Sequence, residues 1–438
     1  MPERSDYIKI LKKMKLDKII GGCMAVLLLL GGGYVGISQF EPDESDRNYQ
    51  LIEESMEVSL DEPVSGSETD NQSDNQEGAP PFQVNAKAAI LMDAGTGEVL
   101  YKFNENEELP PASVTKVMTM LLALEAVEEG KVTLNDEVRI SENAAGMGGS
   151  QMYMEPGEVH TLEELMKGIA MVSANDGCVA VAEYLAGSVE IFVENMNSRA
   201  EELGMEHTHF VNTNGLPADN HYSSAKDIAI MSRELLKHTE GHDWFTTWQD
   251  TVNVGLPGKE TEFGLTNTNK LIKQYQGAIG LKTGFTSDAG YCLSGAAQRE
   301  DTKLIAVVLG CETSNIRLQE ISKLLDYGFA NYETVKIAEN GEIMGEFESI
   351  KGSPEKVSAV TESDIQLLVK KGNKDSITHE VTIYDDIKIP LEKGDKMGEL
   401  IIKQGENEIQ RYDLVAEEDV KKAGIFKVMK RLIEKTGD

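Results

Sequence analysis

The sequence predicts an α/β (α+β) domain with a helical subdomain, followed by a small all-β domain. Two observations lead to this. Strand-like segments stand at both ends of the stretch 84–332, with long helical patterns between them. Beyond Glu333 the texture changes to short alternating runs separated by Gly, Asp and Lys. At 438 residues the chain has room for two or three domains.

The expected elements follow in order. Ala88–Asp93 and Glu98–Phe103 read as strands joined by the turn Ala94-Gly95-Thr96-Gly97. A helical pattern runs from Ser113 to about Glu129 and is closed by Gly130. Thr161 and Glu164 form a capping box for a second helix. Further helices are expected over Val179–Leu185, Val189–Leu203, Ala225–Lys237 and Ile316–Asn331, and strands over Ala278–Thr283, Tyr291–Ala297 and Leu304–Cys311. The second domain, 333–416, carries strand-like runs at Ile365–Val369, His379–Tyr384, Gly398–Lys403 and Gln410–Val415. The segment 417–438 ends in a basic amphipathic helix over Lys421–Lys435, with Ile425, Val428, Met429, Leu432 and Ile433 on one face. Membrane-surface binding and docking on the β domain are both open for it.

Three segments precede the fold. Residues 1–18 are basic, with five lysines, and 19–38 carry no charge. Twenty apolar or small residues suffice to span a bilayer, and the lysines before them orient the N-terminus inward. An uncleaved anchor is the preferred reading; a signal peptide cleaved near Gly36-x-Ser38 is the rival. Most of the apolar run follows Cys23, which argues against a lipobox. Residues 39–83 form an acidic linker, with thirteen Asp or Glu against Arg47 alone over 41–80. Such composition cannot build a core, and forty residues of flexible coil reach roughly 35 Å.

Composition excludes some classes. A net charge of −33 argues against a nucleic-acid partner, which needs clustered Lys and Arg. Four cysteines without CxxC spacing or a Cys/His cluster argue against zinc and point to buried free thiols; one bridge stays open. No cofactor is expected.

The chemistry is carried by three motifs. Ser113-Val114-Thr115-Lys116 places a hydroxyl and an amine on one helix face, one turn apart. A serine needs a base within hydrogen-bond reach, and a lysine whose pKa is lowered by burial supplies one. Ser173-Ala174-Asn175 falls in a short break between helices, and Lys282-Thr283-Gly284 closes a strand. Each string also has decoys, such as Ser223-Ser224-Ala225-Lys226, Ser353-Pro354-Glu355-Lys356, Ser73-Asp74-Asn75, Ser141-Glu142-Asn143 and Lys435-Thr436-Gly437. Order and setting single out the first set: a serine nucleophile with lysine, then a Ser/Asn loop, then a Lys-Thr-Gly strand.

With these motifs the sequence resembles the low-molecular-weight penicillin-binding proteins, the D-alanyl-D-alanine carboxypeptidases. The resemblance spans about Ala88 to Val415. It includes AAILMDAGTGEVLYKFN at 88–104, PASVTKVMT at 111–119, SANDGCVA at 173–180, NGLPADNHYSSAKDIA at 214–229 and GLKTGFTSDAGYCLSG at 280–295. It implies a penicillin-binding-protein/β-lactamase-like serine acyl-transferase fold and a peptidoglycan stem peptide as substrate, with β-lactams as covalent inhibitors. It further implies that Ser113 attacks, Lys116 takes the proton, and Ser173 relays a proton to the leaving nitrogen while Asn175 holds substrate and Lys116. Lys282 and Thr283 would bind the terminal carboxylate. Gly284 would let the substrate approach closely, and the Ser113 and Phe285 amides would form an oxyanion hole. Arg317 resembles an arginine near the carboxylate pocket; a surface helix position is its alternative. The lack of a clear E-x-x-L-N string favours the carboxypeptidase over a β-lactamase. A D,D-endopeptidase or an inactive wall-binding protein on the same fold are the other readings. The implied location is extracytoplasmic, on the outer face of the cell membrane.

Overall fold

The computed structural model describes residues 82–436 apart from 240, with side chains to 434. The expected anchor at 19–38 lies outside the described residues, as does almost all of the linker. No helix among the described residues is long and apolar enough to cross a membrane.

One five-stranded antiparallel sheet organises the first domain. Its strands are β1 (Ala88–Asp93), β2 (Val99–Phe103), β3 (Ala278–Thr286), β4 (Gly290–Arg299) and β5 (Thr302–Cys311), in the spatial order β2-β1-β5-β4-β3. The chain therefore builds its sheet from both ends of the domain. Successive residues of β1 face opposite sides, as a pleated strand requires. Ala88, Ile90 and Met92 join the core shared with the helical subdomain, and Ala89 and Leu91 join the core on the other face. Both sides of β1 and β5 are buried, so these strands read as unbroken apolar runs.

The helical subdomain fills one face. It comprises α1 (Lys116–Glu128), α2 (Leu162–Met171), α3 (Asn175–Ala186), α4 (Val189–Glu202) and α5 (Ala225–Lys237). The Thr161 side chain and Glu164 make the expected capping box at α2. Helix α6 (Ser314–Asn331) covers the opposite face through Ile321, Leu324, Leu325 and Phe329. The helical run expected from Ser113 has a different start. Ala112–Thr115 is a 3₁₀ turn, and the α-helix proper begins at Lys116.

The second domain is all-β. β6 (Tyr332–Ala338) pairs with β9 (Ile365–Lys370). β7 (Ile343–Glu348), β8 (Lys356–Val360), β10 (Ile377–Ile383), β11 (Lys396–Gln404) and β12 (Asn407–Ala416) form a sheet in the order β7-β8-β12-β11-β10. Val357, Ala359, Met397, Leu400, Ile402 and Leu414 are its core.

The terminal helix is shorter than expected. Lys421–Lys422 pairs with Gly352–Ser353 as a strand, and α7 covers only Ile425–Thr436. Arg431 does not stand on a solvated basic face. Its Nη1 donates to the carbonyls of Ile350 (2.9 Å) and Gly352 (2.7 Å), and its Nε lies 2.7 Å from Glu355. Ile425, Phe426, Met429, Leu432 and Ile433 are exposed.

Candidate active site

Three elements bring the predicted residues together: the turn before α1, the break between α2 and α3, and β3. Each is locally strained or tightly packed. Ala112, just before Ser113, has φ +47°, and Ser173 has φ +65°. Non-glycine residues in the left-handed region cost about 1–3 kcal/mol each and persist where surrounding contacts over-determine them.

Lys116 is the hub. Its Nζ lies 3.0 Å from Ser113 Oγ, 2.8 Å from Asn175 Oδ1 and 2.7 Å from the Asn214 carbonyl. Carbonyl oxygens only accept, so a neutral Lys116 spends both N–H groups on Asn175 and Asn214 and turns its lone pair to the Ser113 hydroxyl. Burial lowers the Lys116 pKa to about 8, with Cys178 and Asp176 pulling the other way. Ser113 itself remains half-buried.

Asn175 is locked from its other end. Its Nδ2 donates 2.7 Å to the Gly148 carbonyl, and its backbone N–H donates 2.7 Å to Ser150. That loop is in turn fixed by Asp176, whose buried carboxylate accepts from the Met152, Met154 and Gly177 amides. Ser173 Oγ is buried without a hydrogen-bond partner.

Lys282 is fully buried, and its Nζ donates 3.1 Å to the Thr283 carbonyl. Burial first, then the Lys116 charge, pushes its pKa well below the lysine range. The expected strand end at Lys282 moves outward: β3 continues to Thr286, so the motif sits inside an edge strand. Gly284 also meets the nucleophile turn. A Cβ there would lie 2.9 Å from the Pro111 carbonyl and 3.1 Å from the Ser113 nitrogen. The missing side chain lets the strand press against the nucleophile turn. Phe285 is exposed and its ring lies 4.3 Å from Tyr291. Arg317 is no surface residue. It is buried on α6, and its Nη1 reaches the Gly284 and Cys292 carbonyls at 3.4 Å each.

Four contributors escaped the sequence reading. The Asn214 carbonyl and the Asp176 carboxylate are two. The third is Thr268, whose Oγ1 lies 2.8 Å from Thr283 Oγ1. The fourth is His221. The Val211 N–H donates 3.0 Å to its Nδ1, which leaves the proton on Nε2 to donate 2.8 Å to Thr115 Oγ1. Burial lowers its pKa to about 4, so it stays neutral and braces the nucleophile turn. The strings NGLP and NHYSS held a signal for Asn214 and His221; an isolated threonine held none. Thr268→Val should lower kcat/KM for peptide release about five-fold, the worth of one hydrogen bond, with the larger part in KM because Thr283 loses its orienting partner. Steady-state kinetics on a D-Ala-D-Ala peptide will read this.

Cys178, Cys292 and Cys311 are buried free thiols. The decoy Ser224 caps α5, accepting from the Asp227 amide, and Ser223 Oγ pairs with Thr208 at 2.8 Å.

The chain is similar to known proteins along most of its length. The profile of the D-alanyl-D-alanine carboxypeptidase family, Peptidase S11, matches residues 73–313. That of the C-terminal domain of penicillin-binding protein 5 matches 332–422. The D-alanyl-D-alanine carboxypeptidase DacF of Bacillus subtilis is 43% identical over 347 residues, covering 79% of this chain and 88% of its own length. DacC of Escherichia coli is 32% identical over 78% of this chain and 86% of its own. Penicillin-binding protein 5 of Haemophilus influenzae superposes with a TM-score of 0.65 at 31% identity, over 79% of this chain and all of that one. The profile match over 73–313 and the 43% identity along 347 residues place this chain in the Peptidase S11 family of D-alanyl-D-alanine carboxypeptidases.

Proposed function

We propose that the chain is a serine-type D-Ala-D-Ala carboxypeptidase that removes the terminal D-alanine of peptidoglycan pentapeptides. The observation that carries this is Lys116 Nζ, buried and 3.0 Å from Ser113 Oγ, with its other two hydrogen-bond directions already filled.

The substrate backbone lies along the open edge of β3, and its carboxylate meets Lys282 and Thr283. That carboxylate raises the Lys282 pKa and restores its charge. The charge in turn keeps Lys116 neutral. Ser113 Oγ attacks the carbonyl of the penultimate residue as Lys116 takes its proton. The developing oxyanion is held by the Ser113 and Phe285 amides, each worth about 3 kcal/mol. Ser173 Oγ relays the proton held on Lys116 to the departing nitrogen, which leaves Lys116 neutral again. Lys116 then activates water to hydrolyse the acyl-enzyme. Arg317 supports the pocket from behind by holding the Gly284 and Cys292 carbonyls.

Penicillin should acylate the same atom. Intact-mass measurement should show one covalent penicillin on the wild-type chain and none on Ser113→Ala. An adduct on Ser113→Ala, or release of D-alanine by it, would overturn the assignment. The intact mass also reports whether the N-terminal segment is retained.

The chain is further read as extracytoplasmic and held to the outer face of the cell membrane. The charge pattern of 1–38 supports this, as do the exposed apolar residues of α7 interleaved with Lys427 and Lys430. Flotation with anionic vesicles, with and without residues 425–438, separates the two attachments.

A further inference from the structure

Beside the nucleophile turn, apart from the residues that do the chemistry, lies a pocket of about 230 Å³. A site for a whole small molecule holds roughly 300–1,000 Å³, so this one has room for a single side chain. Leu216, Pro217 and Ala218 supply apolar lining, and Thr286, Asp219 and Asp288 supply polar groups. Both aspartates are exposed. No lysine or arginine is among the lining residues, and the histidine there, His221, is neutral. Among the described residues neither Asp219 nor Asp288 has a hydrogen bond or an ion pair to its side chain. The pocket is therefore negative, and its charge is not offset from within the protein.

Each carboxylate stands on a turn that is fixed from within. Asp288 is in the β3–β4 turn, where the Ala289 amide donates 3.1 Å to Thr286 Oγ1. Asp219 is in a turn closed by the His221 amide, which donates 3.2 Å to the Ala218 carbonyl. The segment before it is tied by Asn212. The Asn212 Oδ1 accepts from the Gly215 amide at 2.7 Å, and its Nδ2 donates 2.9 Å to the Leu216 carbonyl. A side chain that enters meets walls already in place, so little affinity is lost to ordering them.

The direction of the bound peptide leads to this pocket. Its carboxylate meets Lys282 and Thr283, and its scissile carbonyl meets the Phe285 amide. The peptide then runs antiparallel to β3, and its acyl side continues past Thr286 toward Asp288. An extended chain advances about 3.3 Å per residue, which brings the residue before the penultimate one to the Thr286–Asp288 stretch. We propose that the pocket takes the side chain of that residue, and that Asp219 and Asp288 select one ending in a free amine. The apolar lining suits the methylene stem of such a side chain, and the carboxylates suit its ammonium head. The proposal rests on the carboxypeptidase reading for the direction of the peptide.

The test is D-alanine release by the full chain from acetyl-X-D-Ala-D-Ala, with X as lysine, Nε-acetyl-lysine, norleucine or glutamate. The lysine peptide should lead the two neutral ones by about ten-fold in kcat/KM, the worth of two exposed charge pairs, with most of the lead in KM. The glutamate peptide should be slowest. The lead should shrink in about 1 M salt, where the screening length is roughly 3 Å. Asp219→Asn and Asp288→Asn should each narrow the lysine-to-norleucine ratio about three-fold, and Asp288→Lys should turn the preference toward glutamate. A melting curve on each variant checks its fold. Equal kcat/KM for the lysine and norleucine peptides would overturn the proposal, as would a lysine lead that all three variants keep. Release from none of the four peptides would instead overturn the carboxypeptidase reading, and the role of the pocket with it.

Discussion

Lys116→Met is expected to lower D-alanine release and penicillin acylation by about 100- to 10,000-fold, the range a positioned general base contributes. The side chain is isosteric enough to keep α1 packed, so the loss is chemical. The other buried lysine of the site, Lys282, donates to the Thr283 carbonyl instead. Stopped-flow acylation will measure the loss, and a melting curve will confirm the fold. The wild-type pH profile follows from the same atom. The active form is the neutral amine, so kcat/KM should rise with pH through about 8. Stability should move the same way. The folded pKa lies below the ordinary 10.5, so the folded chain binds fewer protons between the two values. Unfolding free energy therefore climbs from about pH 8 to 10.5, and the penalty of the buried ammonium is fully present below 8.

Gly215→Ala is the second large effect. Gly215 has φ +85°, and a Cβ there would lie 1.8 Å from the Ala112 carbonyl and 2.9 Å from Thr115 Oγ1. The backbone term alone is about 1–3 kcal/mol. The clash is with main chain, which cannot rotate away. A destabilisation of about 3 kcal/mol or more is expected, roughly a 10 °C fall in Tm for a domain of this size. Acylation should slow by about 100-fold, since a shift near 1 Å at a nucleophile has that effect. Gly187→Ala is the control. It has φ +80° and nothing within 4 Å of the added carbon, so only the backbone term applies. Calorimetry on both variants separates conformation from collision.

Much of this site was legible before any coordinates. Ser113, Lys116, Ser173, Asn175 and Lys282 converge because their strings sit on three neighbouring elements, and motif order reports that. Arg317 gave a weaker signal, since helix periodicity cannot say that α6 lies against the sheet behind Gly284. What stayed hidden acts through backbone atoms or over long separations. The Asn214 carbonyl has no side-chain signature. Thr268 gains meaning only when β3 brings Thr283 beside it. The hairpin Gln249–Val254/Thr261–Thr266 escaped because its strands are largely exposed and offer few apolar positions to alternate. The terminal helix was drawn too long because Lys421 and Lys422 fit its charge pattern, while their pairing with Gly352–Ser353 is non-local.

The order of strands in the central sheet has a consequence for how the molecule comes into being. Ala88–Asp93 pairs with Thr302–Cys311, more than two hundred residues later. The first strand must wait, apolar on both faces, until nearly the whole domain has been synthesised. Contacts of such separation make folding slow and leave intermediates prone to aggregate. A nascent chain stopped short of Cys311 cannot close its sheet. A holdase should therefore raise refolding yield sharply, and a protease should cut an arrested chain ending before residue 300 at its β1 segment.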